Sequence, residues 1–196
     1  MNVLLDASKK DTKLPAITRA AVALFVTRGV ASTTIREIAR AAKVAEGTLY
    51  RHYESKEDLA RDILETSLAT FTSFLDRKAR EHPSLAGRLR GMSEAFAEAY
   101  EDNPDVARFI LFSHAAEVAR LPKQMRMPRN VVLDILKEAQ AAGEIPKDAD
   151  REMLQAMILG ALARVLLAKA YGDLKGGLRE KAAEAATWLQ RMMGVA

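Results

Sequence analysis

Thr33-Thr34-Ile35-Arg36-Glu37-Ile38-Ala39-Arg40-Ala41-Ala42-Lys43-Val44-Ala45-Glu46-Gly47-Thr48-Leu49-Tyr50-Arg51-His52-Tyr53 reads as two short helices joined by a tight turn. Thr34 as N-cap, with Glu37 three residues on, makes a capping box. Ile35, Ile38, Ala39 and Ala42 then line one side of a helix of about two turns. Lys43-Val44-Ala45 forms the turn, and the next helix runs through Tyr50. In such a unit the first helix packs across the second, whose apolar side holds the core while its polar and aromatic groups point outward. Ile38, Ala39, Ala42, Val44 and Leu49 supply the buried contacts. Arg36, Glu46, Thr48, Tyr50, Arg51 and His52 are left over, and Ala39 and Gly47 are small where the helices crowd.

On either side the apolar spacing stays helical, and alternating strand patterns are hard to find. Leu14, Ile17, Ala21, Leu24 and Phe25 give a preceding helix one face, with Pro15 in its first turn and Gly29 at its stop. Ser55, with Asp58 at the third position, starts a long helix carrying Leu59, Ile63, Phe71 and on to Phe74. Pro83-Ser84, Asn103-Pro104, Pro122, Pro128 and Gly143 to Pro146 punctuate the remainder into helices near 84–101, 104–120, 128–142, 149–171 and 178–193. The expected fold class is all-α with about nine helices. Residues 1–12 read as a flexible arm, 13–58 as a three-helix helix-turn-helix domain, and 59–196 as a larger helical domain reached through the long fourth helix.

Composition narrows the function classes. A chain of 196 residues, 49% hydrophobic and 29% charged, holds one core or a small domain beside a medium one. The absence of cysteine removes disulfides, thiolate metal sites and cysteine nucleophiles together, and it suits a reducing compartment, so a cytoplasmic location is expected. The greasiest stretch, Met153 to Ala168, is broken by Gln155 and Arg164 and falls short of the roughly 20 apolar residues of a membrane span; no membrane partner is expected. The net charge of +4 favours an anionic partner. Ser113, His114 and Glu117 lack an oxyanion-hole or nucleophile-elbow signal, so no enzyme activity is expected. His52, His82 and His114 are too dispersed for a metal motif, Gly176-Gly177 lacks the Lys-Ser/Thr tail of a phosphate loop, and no cofactor is expected.

A helix-turn-helix presents its second helix to the DNA major groove, while basic side chains, hydroxyls and helix N-termini hold phosphates. Thr33 or Thr34, Thr48, Tyr50, Tyr53 and Lys56 are suited to the phosphates. From Ala20 through Leu64 the chain resembles the tetracycline-repressor (TetR) family: Phe25 and Gly29 at the end of the first helix, Thr33 to Ala39 in the second, and Gly47-Thr48-Leu49-Tyr50-Arg51-His52-Tyr53-Glu54-Ser55-Lys56-Glu57-Asp58-Leu59 into the fourth. The resemblance implies a homodimer whose N-terminal domain binds double-stranded operator DNA and whose C-terminal domain dimerises and commonly takes a small-molecule inducer. Carried over by position, Arg36, Glu46, Gly47, Arg51 and His52 face base edges, and Thr34, Thr48, Tyr50, Tyr53 and Lys56 hold phosphates. The chain departs from the family at Lys43, where a turn glycine is common, and at Ala45, where a capping serine is frequent.

In the C-terminal body, Met153, Leu154, Met157, Ile158, Ala161, Leu162, Val165 and Leu166 wrap more than one face of a helix, which must then bury more than one of them. With Ala182, Ala185, Ala186, Leu189 and Met193 alongside, a four-helix interface with a symmetry mate is expected; Met157, Ala161, Val165, Ala182, Ala185, Leu189 and Met193 are its candidate residues. Phe71, Phe74, Phe96, Tyr100, Phe109, Phe112, Met125, Met127 and Met157 offer aromatic and thioether surface, of which a few residues are expected to border a cavity for a largely apolar ligand, with Arg108, His114 or Arg164 as polar anchors. The function expected is a homodimeric transcriptional repressor released from its operator by such a ligand. A helical protein-interaction scaffold without specific DNA binding is the alternative.

Overall fold

The computed structural model describes residues 13–112 and 118–195, and within them every regular element is a helix. In chain order these are α1 (Leu14–Arg28), α2 (Ile35–Ala42), α3 (Glu46–Tyr50), α4 (Lys56–Arg80), α5 (Leu85–Asp102), α6 (Pro104–Phe112), α7 (Pro128–Ala141), α8 (Arg151–Tyr171) and α9 (Leu178–Met193). The starts follow the chemistry of the caps. The Thr34 hydroxyl accepts from the Glu37 backbone N–H at 3.2 Å, and the Glu37 carboxylate accepts from the Thr34 N–H at 2.9 Å. Ser55, Ser84 and Asp150 cap α4, α5 and α8 with their side-chain oxygens. Gly29 closes α1 at φ +80°, a conformation that costs glycine little.

The N-terminal unit is small. Ile17, Ala21 and Phe25 of α1, Ile38 and Ala39 of α2, Leu49 of α3 and Leu59 of α4 are all buried. The Arg28 guanidinium reaches the Glu37 carboxylate at 2.9 Å and ties the end of α1 to α2. In the body, α5 is the central helix, packed by α4, α6, α7, α8 and α9. Small residues permit this: a Cβ at Gly91 would collide with the Lys78 carbonyl oxygen, so α4 and α5 approach backbone to backbone there. Gln190 of α9 donates to the Ala86 carbonyl at 2.7 Å, pinning the last helix to α5.

That pinning corrects the expected interface. Ala182 and Leu189 are buried inside the subunit, so the inward face of α9 is spent on the subunit's own core. Ala185 and Met193 are half-buried against the same core. The outward apolar residues of α9 are Trp188 and Met192, which sequence reasoning passed over; Trp188 is 60% exposed. On α8, Ile158, Leu162 and Leu166 turn inward and Met153, Met157, Gly160 and Ala161 outward, with Val165 half-buried at the edge. The helix expected near 104–120 is described as far as Phe112.

Candidate nucleic-acid interface

The turn before α3 has unusual backbone chemistry. Lys43 adopts φ +56°, ψ +44°, and among the described residues it is the one non-glycine at positive φ. Its neighbour Val44 donates to the Ala39 carbonyl at 3.0 Å, a six-to-one closure of α2 that requires a left-handed residue at Lys43. A side chain there costs about 1 kcal/mol relative to glycine. Ala45 then caps α3 without a side-chain hydrogen bond, as expected from its missing hydroxyl. α3 is held instead by Leu49, fully buried, and by the Tyr53 N–H donating to the Leu49 carbonyl at 2.9 Å.

With α3 fixed by its one apolar anchor, its remaining side chains point out. Tyr50 is 58% exposed, and Glu46, Gly47, Arg51 and His52 are exposed with it, Thr48 being half-exposed. The His52 and Tyr53 rings lie 6.4 Å apart between centroids. Arg36 of α2 projects beside them, its Nε 3.8 Å from a carboxylate oxygen of Glu46, so the two helices meet in an exposed ion pair. Glu46 thereby places a negative charge on a face otherwise suited to an anion, and it steers the guanidinium of Arg36. Thr34 is exposed at the N-terminus of α2, with its Oγ1 also 2.8 Å from the Glu37 carboxylate. The hydrogen bond with Thr34, then the Arg28 charge, hold the Glu37 carboxyl below its ordinary range.

Three residues grouped with the phosphate contacts sit differently. Thr33 is fully buried and its hydroxyl donates to the Gly29 carbonyl at 2.8 Å, which leaves Thr34 as the outward member of the pair. Tyr53 is 7% exposed, and its hydroxyl donates to Asp62 Oδ2 at 2.8 Å. Burial, followed by the Asp62 hydrogen bond and charge, pushes the Tyr53 phenol far above its ordinary range. It is a core residue with a polar tether, and this removes it from the outward set. Lys56, at the start of α4, bends its Nζ to the Ala31 carbonyl at 2.6 Å and lies 3.8 Å from Glu57. Its charge stays at the edge of the face, on a side chain that also braces the α1–α2 loop.

Behind this unit, Phe71, Phe96, Ala99, Tyr100, Ala107, Ile110, Leu111 and Leu166 line a half-open apolar cavity of about 40 Å³. Phe71, Phe96 and Tyr100 were expected there; the α6 residues and Leu166 were not, because aliphatic side chains carry no sign of what they border. The other expected lining residues are elsewhere. Phe109 stacks on Phe25 of α1 at 5.8 Å, Phe74 lies under the Arg77 guanidinium, and Phe112 pairs with Tyr171 at 5.7 Å. Met125 borders a separate groove with Arg77, Arg80 and Arg126, while Met157 and Arg164 face outward on α8. Arg108 sits at the rim, donating to the Tyr100 hydroxyl at 3.3 Å and lying 3.7 Å from Asp105. His114 lies outside the described residues.

Residues 17–63 match the family model described as bacterial regulatory proteins, tetR family. That segment of the chain is a TetR-type helix-turn-helix. It is a DNA-binding element and the protein a transcription regulator. The HTH-type transcriptional repressor KstR2 of Mycolicibacterium smegmatis is 27% identical over 163 residues, which cover 78% of this chain and 75% of the relative. The solved fatty acid degradation regulator FadR from Bacillus halodurans superposes with a TM-score of 0.82 at 21% identity, covering 93% of this chain and 96% of that one. FadR from Bacillus subtilis, solved in complex with stearoyl-CoA, gives a TM-score of 0.80 at 20% identity, covering 90% and 97%. These likenesses extend the shared fold over the whole TetR-type architecture, body included.

Proposed function

We propose that this protein is a homodimeric repressor of the TetR family that leaves its operator when an apolar ligand enters the body. The observation that carries the reading is the position of α6. One side of this helix lines the cavity through Ala107, Ile110 and Leu111, while Phe109 on the same helix stacks on Phe25 of α1. A ligand that moves α6 therefore moves α1, on which α2 and α3 ride. The cavity as it stands is far below the roughly 300 Å³ of a small-molecule site, so ligand entry has to displace a wall. A ligand that prefers the displaced state lowers DNA affinity by that preference and by no more. The stearoyl-CoA held by the Bacillus subtilis relative favours a long acyl chain as the apolar part.

Homodimerisation accounts for α8. Its most apolar window has a mean hydropathy of 1.6, yet 17% of that window is buried within the subunit. The outward Met153, Met157, Gly160 and Ala161, together with Trp188 and Met192 of α9, form a surface that a second copy would cover. In the DNA contact set, Thr34, Thr48, Tyr50 and Lys56 hold phosphates, and Arg36, Arg51 and His52, with Glu46 and Gly47, face base edges. The test is a gel shift with the DNA flanking the protein's own gene, at two salt concentrations, with and without an acyl-CoA series. Salt-sensitive, sequence-selective binding that an acyl-CoA relieves is the expected result. Equal binding to flanking and random DNA would overturn the regulator reading in favour of a helical scaffold.

A further inference from the structure

The apolar cavity has a neighbour on the same side of α4. A cleft of about 70 Å³ opens between the DNA-binding unit and the body, lined by Val30 and Glu57 from the former, Phe109 and Arg120 from the latter, and Ala60, Arg61 and Leu64 of α4. Leu64, Ser67 and Phe71 follow one another at spacings of three and four, which places them on one stripe of α4 running from the cleft to the cavity. α6 supplies a wall to both, through Phe109 at the cleft and Ile110 and Leu111 at the cavity. Between the two sits Ser67, 1% exposed, and among the described residues its Oγ is the buried side-chain polar atom without a hydrogen-bond partner. Buried hydroxyls ordinarily have one.

The two ends differ in chemistry. The inner cavity is lined by apolar side chains and the Tyr100 ring. The cleft carries Arg61, Arg120 and Glu57. Arg61 is paired with Asp58, and Lys56 lies 3.8 Å from Glu57. Arg120 is exposed and has no carboxylate partner among the described residues. We propose that cleft and cavity are the two ends of one binding site for an amphiphile, with the tail in the cavity, the chain passing Ser67, and an anionic head group at Arg120 and Arg61. This rests on the ligand-release reading and adds to it where the head group lies. A head group in the cleft stands between Val30 and Glu57 of the DNA-binding side and Phe109 and Arg120 of the body. Occupancy then acts on the domain junction itself as well as through α6. A free carboxylate and the phosphates of a carrier thioester share the required chemistry.

The test is calorimetric titration of the full-length protein with dodecanoyl-coenzyme A, dodecanoate and uncharged 1-dodecanol. Wild type, Arg120→Glu, Arg61→Glu and Ser67→Leu are compared, with melting curves as the check on folding. Arg120→Glu is expected to weaken an anionic probe tenfold or more and dodecanol less than twofold; Ser67→Leu is expected to weaken all three. Loss confined to dodecanoyl-coenzyme A supports the site with the carrier phosphates as head group, and loss of dodecanoate as well supports it with the carboxylate. If both arginine reversals leave the anionic probes within twofold while Ser67→Leu blocks them, the head group lies elsewhere: the proposal falls and the ligand-release reading stands. If wild type binds none of the three, both fall. The exposed Arg120 keeps the experiment decisive should Ser67→Leu fail to fold.

Discussion

α3 and α8 are both helices whose outward faces the subunit leaves uncovered, and they could hardly differ more in what they offer. α3 is one turn long, anchored by Leu49 alone, and shows Tyr50, Arg51 and His52 beside Arg36. α8 runs for 21 residues and shows Met153, Met157, Gly160 and Ala161. A charged, hydroxyl-bearing face keeps its hydration until phosphates displace it, and binding there is salt-dependent. A methionine and small-residue face has nothing to lose but water, and its binding is governed by area and fit. Exposure alone is uninformative; the chemistry of the exposed atoms separates a nucleic-acid face from a self-association face.

The largest effect is expected on α8. Met157→Asp places a carboxylate in a surface read as covered by the partner, and an uncompensated buried charge costs about 3–5 kcal/mol. Sedimentation should show monomers and the gel shift should lose most of its operator affinity; a dimer that survives unchanged would put Met157 outside the interface. On the other face, Arg36→Ala is expected to cost about 1–3 kcal/mol on the operator and little on random DNA. Equal losses on the two would reduce Arg36 to a phosphate contact.

A tyrosine pair sharpens the comparison within the helix-turn-helix. Tyr53→Phe removes the Tyr53–Asp62 hydrogen bond, at a cost of about 1 kcal/mol in unfolding free energy, while Tyr50→Phe should leave stability alone and weaken DNA binding. Denaturant melts and gel shifts on both variants would break this assignment if the effects came out reversed. Lys43→Gly is expected to stabilise the unit by about 1 kcal/mol by relieving the left-handed lysine, read as a shift in denaturation midpoint.

The smallest effect concerns acid. The folded Glu37 carboxyl titrates below its ordinary value of 4.5, chiefly through Thr34. Its contribution is therefore present above the unfolded value and is lost as pH falls through the folded one. Thr34→Ala should flatten that part of the stability profile below about pH 4.5, and a profile of unchanged slope would remove the capping box from the account.

The helix-turn-helix was legible from residues 33–59 because its determinants are local. A capping threonine and its glutamate are three residues apart, an apolar stripe repeats within two turns, and Ser55 announces α4, so no distant partner is needed to recognise them. Lys43 and Ala45 were equally readable as departures, and the structure answers them with a left-handed backbone and an uncapped helix. Local pattern does not say which of two apolar faces meets the subunit's own core. Ala182 and Leu189 were assigned outward, yet α5 takes that face of α9 and leaves Trp188 and Met192 outside. Tyr50 and Tyr53 looked alike until the chain turned between them and set one hydroxyl against Asp62. Phe109 could have faced a ligand or a helix, and only its 5.8 Å stack on Phe25 makes it the link between the body and the DNA-binding unit. Caps, turns and periodicity belong to neighbours in sequence and are determined there; partnership between faces belongs to neighbours in space, and tertiary packing alone decided it.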